Sequence, residues 1–287
     1  MKMLQTLMLG VALMAQTAVA QTKQDVKATI EKVNDYWQSH NSAKCRGFWD
    51  NAAYFTGNQE VYNLTGKQEY LDYAIQWAEY NHWKGATQKD KSKWQYKTYG
   101  EGMNHVLFAD WQICFQVYID LYKQEHRAER IERALEVMCY QASTPETDYW
   151  WWADALYMGL PIFSKLYTVT HDQKLLDKQY ECFKWTDELL FDKEAQLYYR
   201  DGKYVYPKVK TACNDGKSFW ARGAGWVLAG LAKVLQDLPK DSKYYPFYLD
   251  RFKQLSAGVA RSQQPEGYWT RSILCPDDAP GYETSGT

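Results

Sequence analysis

The sequence of 287 residues has few of the side chains that build catalytic metal sites. Only five histidines are present, and none belongs to an H-E-x-x-H motif or to a His/Cys cluster. The six cysteines are dispersed, without a C-x-x-C pair. Because zinc sites bring such residues together at short, fixed spacings, we expect no catalytic metal.

The sequence also lacks an excess of charge of either sign. Thirty-four Lys and Arg residues nearly balance 35 Asp and Glu residues, which leaves a net charge of −1. No basic run forms a patch that would bind a polyanion. We therefore expect no nucleic-acid partner.

Long apolar runs are absent after the N-terminus, so we expect no helix that spans a membrane. The N-terminus itself has Lys2, an apolar stretch from Leu4 to Ala15, and the small residues Ala18-Val19-Ala20. This order is typical of a cleavable secretory signal. We assign residues 1–20 to a signal peptide and expect a secreted or periplasmic protein.

An oxidising compartment would permit the even number of cysteines to pair. Most of them lie in helical patterns, where a buried free thiol is the favoured interpretation. The sequence leaves the pairing open. The six are Cys45, Cys114, Cys139, Cys182, Cys213 and Cys275.

Apolar residues recur at spacings of three and four, as at Leu71, Ile75 and Ala78. This period predicts amphipathic helices. No Pro/Gly/Ser-rich linker divides them, so we predict one all-α domain over residues 21–287. The expected helices cover about 24–39, 50–64, 68–82, 105–123, 126–141, 150–169, 172–190, 219–237 and 242–264.

Related sequences recur where one helix follows another. Residues 62–71 read Y-N-L-T-G-K-Q-E-Y-L, residues 167–176 read Y-T-V-T-H-D-Q-K-L-L, and residues 122–131 are a looser copy. Each combines an aromatic helix end with a polar start to the next helix. Serial helical hairpins of this kind predict a repeat architecture, either a solenoid or a closed ring.

One segment departs from the helical pattern. Residues 197–206 read L-Y-Y-R-D-G-K-Y-V-Y, with Asp201-Gly202 between aromatic and β-branched residues. An Asp-Gly pair in this setting predicts a tight β-hairpin. The hairpin is expected within a long insertion between helices, where functional loops are common.

Aromatic residues are abundant, with 13 Trp, 24 Tyr and 10 Phe. Tyr and Trp combine an apolar ring with a polar group, which suits the stacking of sugars as well as core packing. Composition alone leaves both interpretations open.

Two carboxylates lie within apolar, aromatic surroundings. Asp154 follows three tryptophans in D-Y-W-W-W-A-D-A-L-Y-M-G-L-P (148–161), and Asp110 lies in L-F-A-D-W-Q-I-C-F (107–115). Desolvation would raise the pKa of either side chain and make it a proton donor near neutral pH. The alternatives are a hydrogen-bonded core aspartate at Asp154 and a helix cap at Asp110. Two such acids at one site are the usual arrangement for cleaving glycosides.

A third motif, S-F-W-A-R-G-A-G-W (218–226), is predicted at the start of a helix. Arg222 offers a planar fork that suits a carboxylate. Trp220 and Trp226 offer faces on which a sugar can stack. The alternative is an arginine paired with a core acid, between tryptophans that pack helices together. The three segments together favour an anionic sugar as the ligand.

The motifs W-W-W-A-D-A-L-Y-M-G-L-P and F-W-A-R-G-A-G-W-V-L-A-G-L, with the terminal G-Y-E-T-S-G-T, resemble glycoside hydrolase family 105. That family contains unsaturated rhamnogalacturonyl hydrolases and is related to the unsaturated glucuronyl hydrolases. The resemblance implies an (α/α)6 barrel that needs no metal or other cofactor. It also implies removal of a 4,5-unsaturated uronic acid from the non-reducing end of lyase products, such as fragments of the pectin rhamnogalacturonan.

The resemblance also implies roles for individual residues. Asp154 matches the general acid/base, and Asp110 matches a second active-site aspartate. Trp220, Arg222 and Trp226 match positions that contact substrate, and Trp49 lies where the family often places an aromatic at the sugar subsite. Family members often have a Tyr-His-Gly stretch where this chain has Tyr199-Arg200-Asp201-Gly202, so Arg200 is expected to replace the histidine contact.

The pattern contains fewer helices than a closed ring of six hairpins, so we expect a barrel that lacks its last helices. The expected partner is an unsaturated uronyl oligosaccharide, bound by a monomer or a weak homo-oligomer. The alternatives are another uronide-active (α/α)-barrel enzyme, a lyase or an epimerase, and a shortened, non-catalytic sugar-binding barrel.

Overall fold

The structure, a computed structural model, describes residues 22–286. They divide into two compact units, one that ends at Ser42 and one that begins at Ala43. The predicted signal peptide lies outside the described residues. The first unit contains α1 (Lys23–His40), which begins at a capping box. The Asp25 amide donates to Thr22 Oγ1 at 3.1 Å, and the Thr22 amide donates to Asp25 Oδ2 at 2.9 Å.

The second unit is mainly helical, as the apolar period predicts. No helix within residues 22–286 is both long and apolar enough to cross a membrane. Short 3₁₀ turns occur at Lys91–Lys93, Ala128–Arg130 and Pro276–Asp278. The elements are α2 (Trp49–Thr65), α3 (Gln68–Tyr80), α4 (Ala109–Gln112), α5 (Cys114–Gln124), α6 (Glu132–Ser143), α7 (Ala155–Met158), α8 (Leu160–Thr170), α9 (Gln173–Leu190), β1 (Phe191–Asp192), β2 (Leu197–Tyr198), α10 (Ala221–Asp237) and α11 (Tyr245–Arg261).

The helices pack in sequential pairs, α2 with α3, α8 with α9, and α10 with α11. The turns that join α2 to α3 and α8 to α9 have the same conformation, as their related sequences predict. Gly66 and His171 end α2 and α8 in the left-handed conformation. Their amides donate to the carbonyls of Tyr62 and Tyr167 at 2.7 and 2.9 Å. A left-handed residue at this position is a common way to end a helix and turn the chain.

Two of the expected long helices are interrupted. Residues 105–123 contain the short α4 and then α5, and residues 150–169 contain the short α7 and then α8. In the second case Trp152 forms a β-bridge with Asp201, which holds the chain before α7 out of the helix. Pro161, in the first turn of α8, has no amide to continue a helix from α7. Asp154 therefore lies at the start of α7 rather than inside a long helix.

The expected hairpin around Asp201-Gly202 is wrong. The antiparallel pair lies earlier, between β1 and β2, with Phe191 opposite Tyr198. Asp201 instead pairs with Trp152, and its carboxylate accepts the Lys203 amide at 2.8 Å. This local hydrogen bond forms a turn without flanking strands.

A buried ion pair joins three helices of the second unit. Lys165 of α8 is 6% exposed, and its ammonium lies 2.7 Å from Asp120 of α5 and 3.6 Å from Asp237 at the end of α10. A buried ammonium requires such partners, because its desolvation is otherwise costly. The pair therefore favours one arrangement of these helices.

The loop that follows α9 is joined to the loop that follows α11. Cys213 and Cys275 form a disulfide, whereas Cys45, Cys114, Cys139 and Cys182 are free. Near the disulfide, the Ile273 amide donates to Phe219 and the Ala221 amide donates to Arg271, at 3.1 and 3.0 Å. Residues 219–221 and 271–273 thus form a short ladder.

Close backbone packing joins α10 to α7. A Cβ atom added to Gly230 of α10 would lie 1.9 Å from the Leu156 carbonyl oxygen of α7. No heavy atom can be accommodated at that distance, so only glycine permits the observed contact. By contrast, a Cβ on Gly57, which is exposed on α2, would meet no atom within 4 Å.

These two glycines generate a matched prediction. Gly230→Ala should lower the free energy of unfolding by about 1–3 kcal/mol or more, because α10 must move away from α7. Gly57→Ala should raise it by roughly 0.5–1 kcal/mol, because alanine stabilises an open helix position. Urea unfolding followed by circular dichroism measures both. A Gly230→Ala protein as stable as the unsubstituted one would contradict the packing argument.

Candidate active site

A cleft of about 650 Å³ lies in the second unit. Its walls come from segments that are far apart in the sequence, which is typical of enzyme sites built on helical scaffolds. Six of the seven predicted site residues line it: Trp49, Asp110, Asp154, Arg200, Trp220 and Arg222. The other lining residues include Tyr99, Trp151, Trp152, Tyr204, Arg271, Asp278 and Glu283.

Asp154 is held at the cleft by its neighbours on both sides. The Ala153 amide donates to the Arg200 carbonyl at 2.8 Å, and the Asp154 carbonyl accepts the amides of Tyr157 and Met158 in α7. Its carboxylate Oδ1 is buried and has no hydrogen-bond partner among residues 22–286. A buried acceptor without a partner is costly unless a ligand or a proton occupies it.

The pKa of Asp154 is raised to about 6. Burial is the main cause, and it is opposed by a backbone hydrogen bond and by the positive charges of Arg200 and Arg222. Desolvation destabilises the carboxylate, whereas nearby cations stabilise it. The balance leaves a carboxyl group that exchanges its proton near neutral pH.

Asp110 lies in the first turn of α4 and is 5% exposed. No side chain forms a cap hydrogen bond at α4, so the capping alternative is not the one observed. The pKa of Asp110 is raised to about 8, first by burial and then by the charges of Asp154, Asp50 and Glu101. Arg46 lies 2.8 and 2.5 Å from the last two carboxylates and holds them together beside the site.

The two buried carboxyl groups of the cleft have different pKa values. Asp154 loses its proton first, and its charge then opposes the ionisation of Asp110. Burial thus favours the protonated form of both carboxyl groups, and the charge of Asp154 adds to this effect at Asp110. A pair of carboxyl groups with separated pKa values can supply both a base and an acid.

In the W-A-R-G segment, the positive charge of Arg222 lies over the ring of Trp220. The Arg222 guanidinium lies 4.1 Å from the centre of the Trp220 ring, and its Nη1 lies 3.5 Å from Ser285 Oγ. Arg222 forms no ion pair with a carboxylate in the described part of the chain. The expected alternative, an arginine neutralised by a core acid, is thus not the one observed. Its fork remains available for an anionic ligand.

Arg200 differs from Arg222 because its charge is partly neutralised within the protein. Its Nη1 lies 3.2 Å from Asp201 Oδ2, and its guanidinium lies 5.4 Å from the centre of the Tyr204 ring. Both arginines still act on Asp154, whose pKa they lower.

The tryptophan run forms an aromatic wall beside Asp154. The rings of Trp151 and Trp152 are 4.5 Å apart, and Trp152 stacks on Phe108 at 4.7 Å. Trp150 is fully buried in the core. The run therefore divides its rings between the core and the cleft, which reconciles the two interpretations of the aromatic composition.

Trp226 does not line the cleft, although its motif predicts a substrate contact. It lies one turn after Arg222 on α10, and its ring packs 4.8 Å from that of Tyr157 in α7. Its position is explained by the close contact between these two helices. The structure gives Trp226 a packing position.

Sequence reasoning missed the residues that irregular loops supply. Arg271 and Asp278 follow α11 in a stretch without helical periodicity, and Tyr99 lies in the loop before α4. Glu283 belongs to the E-T-S-G-T segment, which carries the family resemblance but no chemical signal of its own. In residues 22–286 no group of three or more His, Cys, Asp or Glu side chains could hold a metal ion.

Curated relatives share sequence with about half of this chain. An unsaturated 3S-rhamnoglycuronyl hydrolase from Formosa agariphila is 35% identical over 150 residues, which cover 51% of this chain and 40% of that protein. One from an Alteromonas species is 33% identical over 138 residues, 48% of this chain and 33% of that protein. The chain thus spans less than half the length of these relatives.

Solved structures match more of the chain. A protein named as a polysaccharide lyase is 57% identical, with a TM-score of 0.89 over 92% of this chain and 74% of that one. A glycosyl hydrolase family 88 protein from Bacteroides vulgatus is 50% identical, with a TM-score of 0.90 over 93% of this chain and 76% of that one. These likenesses confirm the all-α fold of the (α/α)6-barrel type.

The expected family number needs refinement. A family 105 glycoside hydrolase from C. acetobutylicum is 19% identical, with a TM-score of 0.64 over 88% of this chain and 70% of that one, which shows a common fold alone. The family profile that matches, over residues 21–287, is that of Glycosyl Hydrolase Family 88. The chain belongs to Glycosyl Hydrolase Family 88.

Proposed function

We propose that the protein removes a 4,5-unsaturated uronic acid from the non-reducing end of oligosaccharides that polysaccharide lyases produce. One arrangement carries the proposal: a buried carboxyl group, Asp154, shares a cleft with Arg222, a guanidinium that has no acidic partner within residues 22–286. The names of the curated relatives support the same class of substrate. Either rhamnogalacturonan fragments or other rhamnose-linked uronides fit this description.

The proposed reaction hydrates the vinyl ether of the unsaturated ring. Asp154 donates its proton to C4, and a water adds to C5 as its own proton passes to the Asp154 carboxylate. The resulting hemiketal opens and releases the next sugar. Each step conserves atoms and returns Asp154 to its protonated form, so no cofactor is required.

The other cleft residues would position the substrate. Arg222 would bind the uronate carboxylate through its fork, with Trp220 behind it. Asp110, whose pKa is about 8, would stay protonated at neutral pH and donate a hydrogen bond to the sugar. Bound uronate would also offset the charge of Arg222 and exclude water, which raises the pKa of Asp154 towards the value that a proton donor requires.

A second candidate function is lysis, which the name of the 57%-identical solved structure favours. A lyase needs a base that removes a proton from the uronate. Tyr99 lines the cleft, but its pKa is raised to about 12, first by its hydrogen bond to Glu101, so its phenol stays protonated near neutral pH and cannot accept a proton. The two reactions differ in direction: lysis creates the ultraviolet absorbance of the conjugated double bond, and hydration destroys it.

The N-terminal sequence supports a secreted or periplasmic site of action.

Asp154→Asn should reduce kcat by about 10²–10⁴-fold, because the amide keeps the shape of the carboxyl group but cannot donate its proton. Loss of the substrate's ultraviolet absorbance measures turnover, and titration calorimetry should show that an unsaturated disaccharide still binds. Asp241→Asn, at an exposed loop position, serves as the control and should leave kcat unchanged. Turnover retained by Asp154→Asn would exclude Asp154 as the donor.

The pH profile distinguishes the two carboxyl groups. If protonated Asp154 is the donor, kcat/KM should fall as the pH rises through about 6, because the free enzyme loses the required proton there. Asp110→Asn should leave this limb in place. A limb near pH 8 would instead identify Asp110 as the donor.

Arg222→Ala should raise KM by about tenfold or more, because a charge-assisted hydrogen bond to the uronate is lost. Arg222→Lys should give an intermediate value, since it keeps the charge but not the planar fork. Steady-state kinetics on an unsaturated disaccharide measures both variants. Unchanged kinetics in Arg222→Ala would rule out this residue as the uronate contact.

A further inference from the structure

Asp201 lies beside the candidate proton donor, although the proposed reaction gives it no task. It is 5% exposed, and its backbone forms the β-bridge with Trp152. The carbonyl of the preceding residue, Arg200, accepts the Ala153 amide at 2.8 Å. The turn that contains Asp201 is thus attached to the two residues directly before Asp154.

The Asp201 carboxylate makes two contacts of different kinds. Its Oδ1 accepts the Lys203 amide at 2.8 Å, which forms the turn, and its Oδ2 lies 3.2 Å from Arg200 Nη1. The guanidinium also lies 5.4 Å from the centre of the Tyr204 ring. Tyr204 belongs to the same turn, because its amide donates to the Asp201 carbonyl at 2.9 Å. The turn therefore binds the Arg200 side chain through a charge and through a ring.

Arg200 has a second carboxylate within its electrostatic reach. Its charge lowers the pKa of Asp154, yet within residues 22–286 it forms an ion pair with Asp201 alone. Asp154 Oδ1 has no hydrogen-bond partner in the same range. A carboxylate and an arginine near each other favour a charge-assisted pair, because its hydrogen bonds are stronger than those between neutral groups. Arg200 therefore has two possible carboxylate partners, and Asp201 is the one that it contacts.

The charges that act on Asp154 come from several elements. Arg200 and Asp201 follow β2, Arg222 lies in the first turn of α10, and Asp110 lies on α4. Other ionisable residues line the same cleft, namely Tyr99, Tyr204, Arg271, Asp278 and Glu283. Asp201 has two effects among these groups. Its charge opposes the ionisation of Asp154, and its carboxylate binds one of the two arginines that favour that ionisation.

We propose that Asp201 is a positioning residue, which competes with Asp154 for the Arg200 guanidinium and so leaves Asp154 able to carry the proton of the reaction. This inference rests on the proposed function and adds a residue that acts through Arg200 rather than on the substrate. Without the Asp201 charge, Arg200 is free to pair with Asp154. Such a pair holds Asp154 as a carboxylate, which has no proton to donate to C4.

Asp201→Asn removes the charge and keeps the turn, because the amide oxygen still accepts the Lys203 amide. Carbon-13 NMR of labelled aspartate carboxyl groups follows the titration of Asp154 in the free protein, and the loss of one signal in Asp154→Asn assigns it. The midpoint of this titration should fall by about 1 pH unit or more in Asp201→Asn, because Asp154 gains an arginine partner. The limb of kcat/KM on an unsaturated disaccharide should move to lower pH with it.

Two further variants support this comparison. Asp177→Asn, outside the cleft lining, removes a carboxylate that lies 3.4 Å from Lys243, and as the matched control it should change neither the midpoint nor the limb. Asp201→Ser should give the same midpoint as Asp201→Asn, since a hydroxyl can also accept the amide of the turn. It provides the measurement if the asparagine protein does not fold.

A double variant separates action through Arg200 from the direct effect of the Asp201 charge. If Asp201 acts through Arg200, Asp201→Asn should shift the midpoint much less in an Arg200→Gln protein than in the unsubstituted one. Equal shifts in the two proteins would show a direct charge effect alone and would overturn the proposal. A midpoint that stays or rises in Asp201→Asn would overturn it too.

The NMR titration needs no substrate, so the two proposals can fail separately. If the unsubstituted enzyme does not consume an unsaturated disaccharide, the proposed function fails. The midpoint of Asp154 still shows in that case whether Asp201 keeps Arg200 from it. If the enzyme consumes the disaccharide and the midpoint does not fall in Asp201→Asn, only the role of Asp201 is lost.

Discussion

The close approach of α10 to α7 determines how two sides of the candidate site meet. Asp154 immediately precedes α7, and Arg222 lies in the first turn of α10. The helices can touch backbone to backbone because Gly230 has no side chain where it faces the Leu156 carbonyl. Without that contact, the arginine that senses the Asp154 charge would lie farther away. A packing constraint about two turns along α10 from Arg222 thus sets an electrostatic distance within the candidate site.

The same contact explains why the aromatic residues have different tasks. Trp226 and Tyr157 fill the interface between α10 and α7, whereas Trp220 lies at its open end and supports Arg222. On the other wall, Trp150 is buried and Trp151 and Trp152 face the cleft. Rings in the interface keep the helices together, and rings at the edge exclude water from the carboxyl groups. Burial raises the cost of ionising Asp154, whereas Arg222, which the interface holds nearby, lowers it.

Much of the fold could be predicted from the sequence because local rules determine it. The turns at Gly66 and His171 have related sequences and the same conformation, and the apolar period gives most helix positions within a few residues. The breaks before α5 and α8 could not be predicted from the local sequence. The break before α8 depends on pairing between Trp152 and the distant Asp201. The hairpin predicted at Asp201-Gly202 was wrong for the same reason, because Asp201 pairs with the distant Trp152 instead.

In the candidate site, too, some residues could be predicted from the sequence and others could not. Asp110 and Asp154 could be predicted because a carboxylate among rings is conspicuous in any sequence. Trp226 could not be separated from Trp220, since both occur in one motif and only packing distinguishes them. Arg271 gave no signal, because nothing in an irregular loop indicates which side chain will lie in a cleft that is closed by residues far away in the chain.

The wall formed by residues 271–283 is fastened to the second unit through the Cys213–Cys275 disulfide and the short ladder at 219–221. Asp110 lies on α4 and Asp154 immediately precedes α7, so neither residue belongs to the ladder or to the disulfide. Substitutions in residues 271–283 can therefore change the lining of the cleft without replacing either carboxyl group.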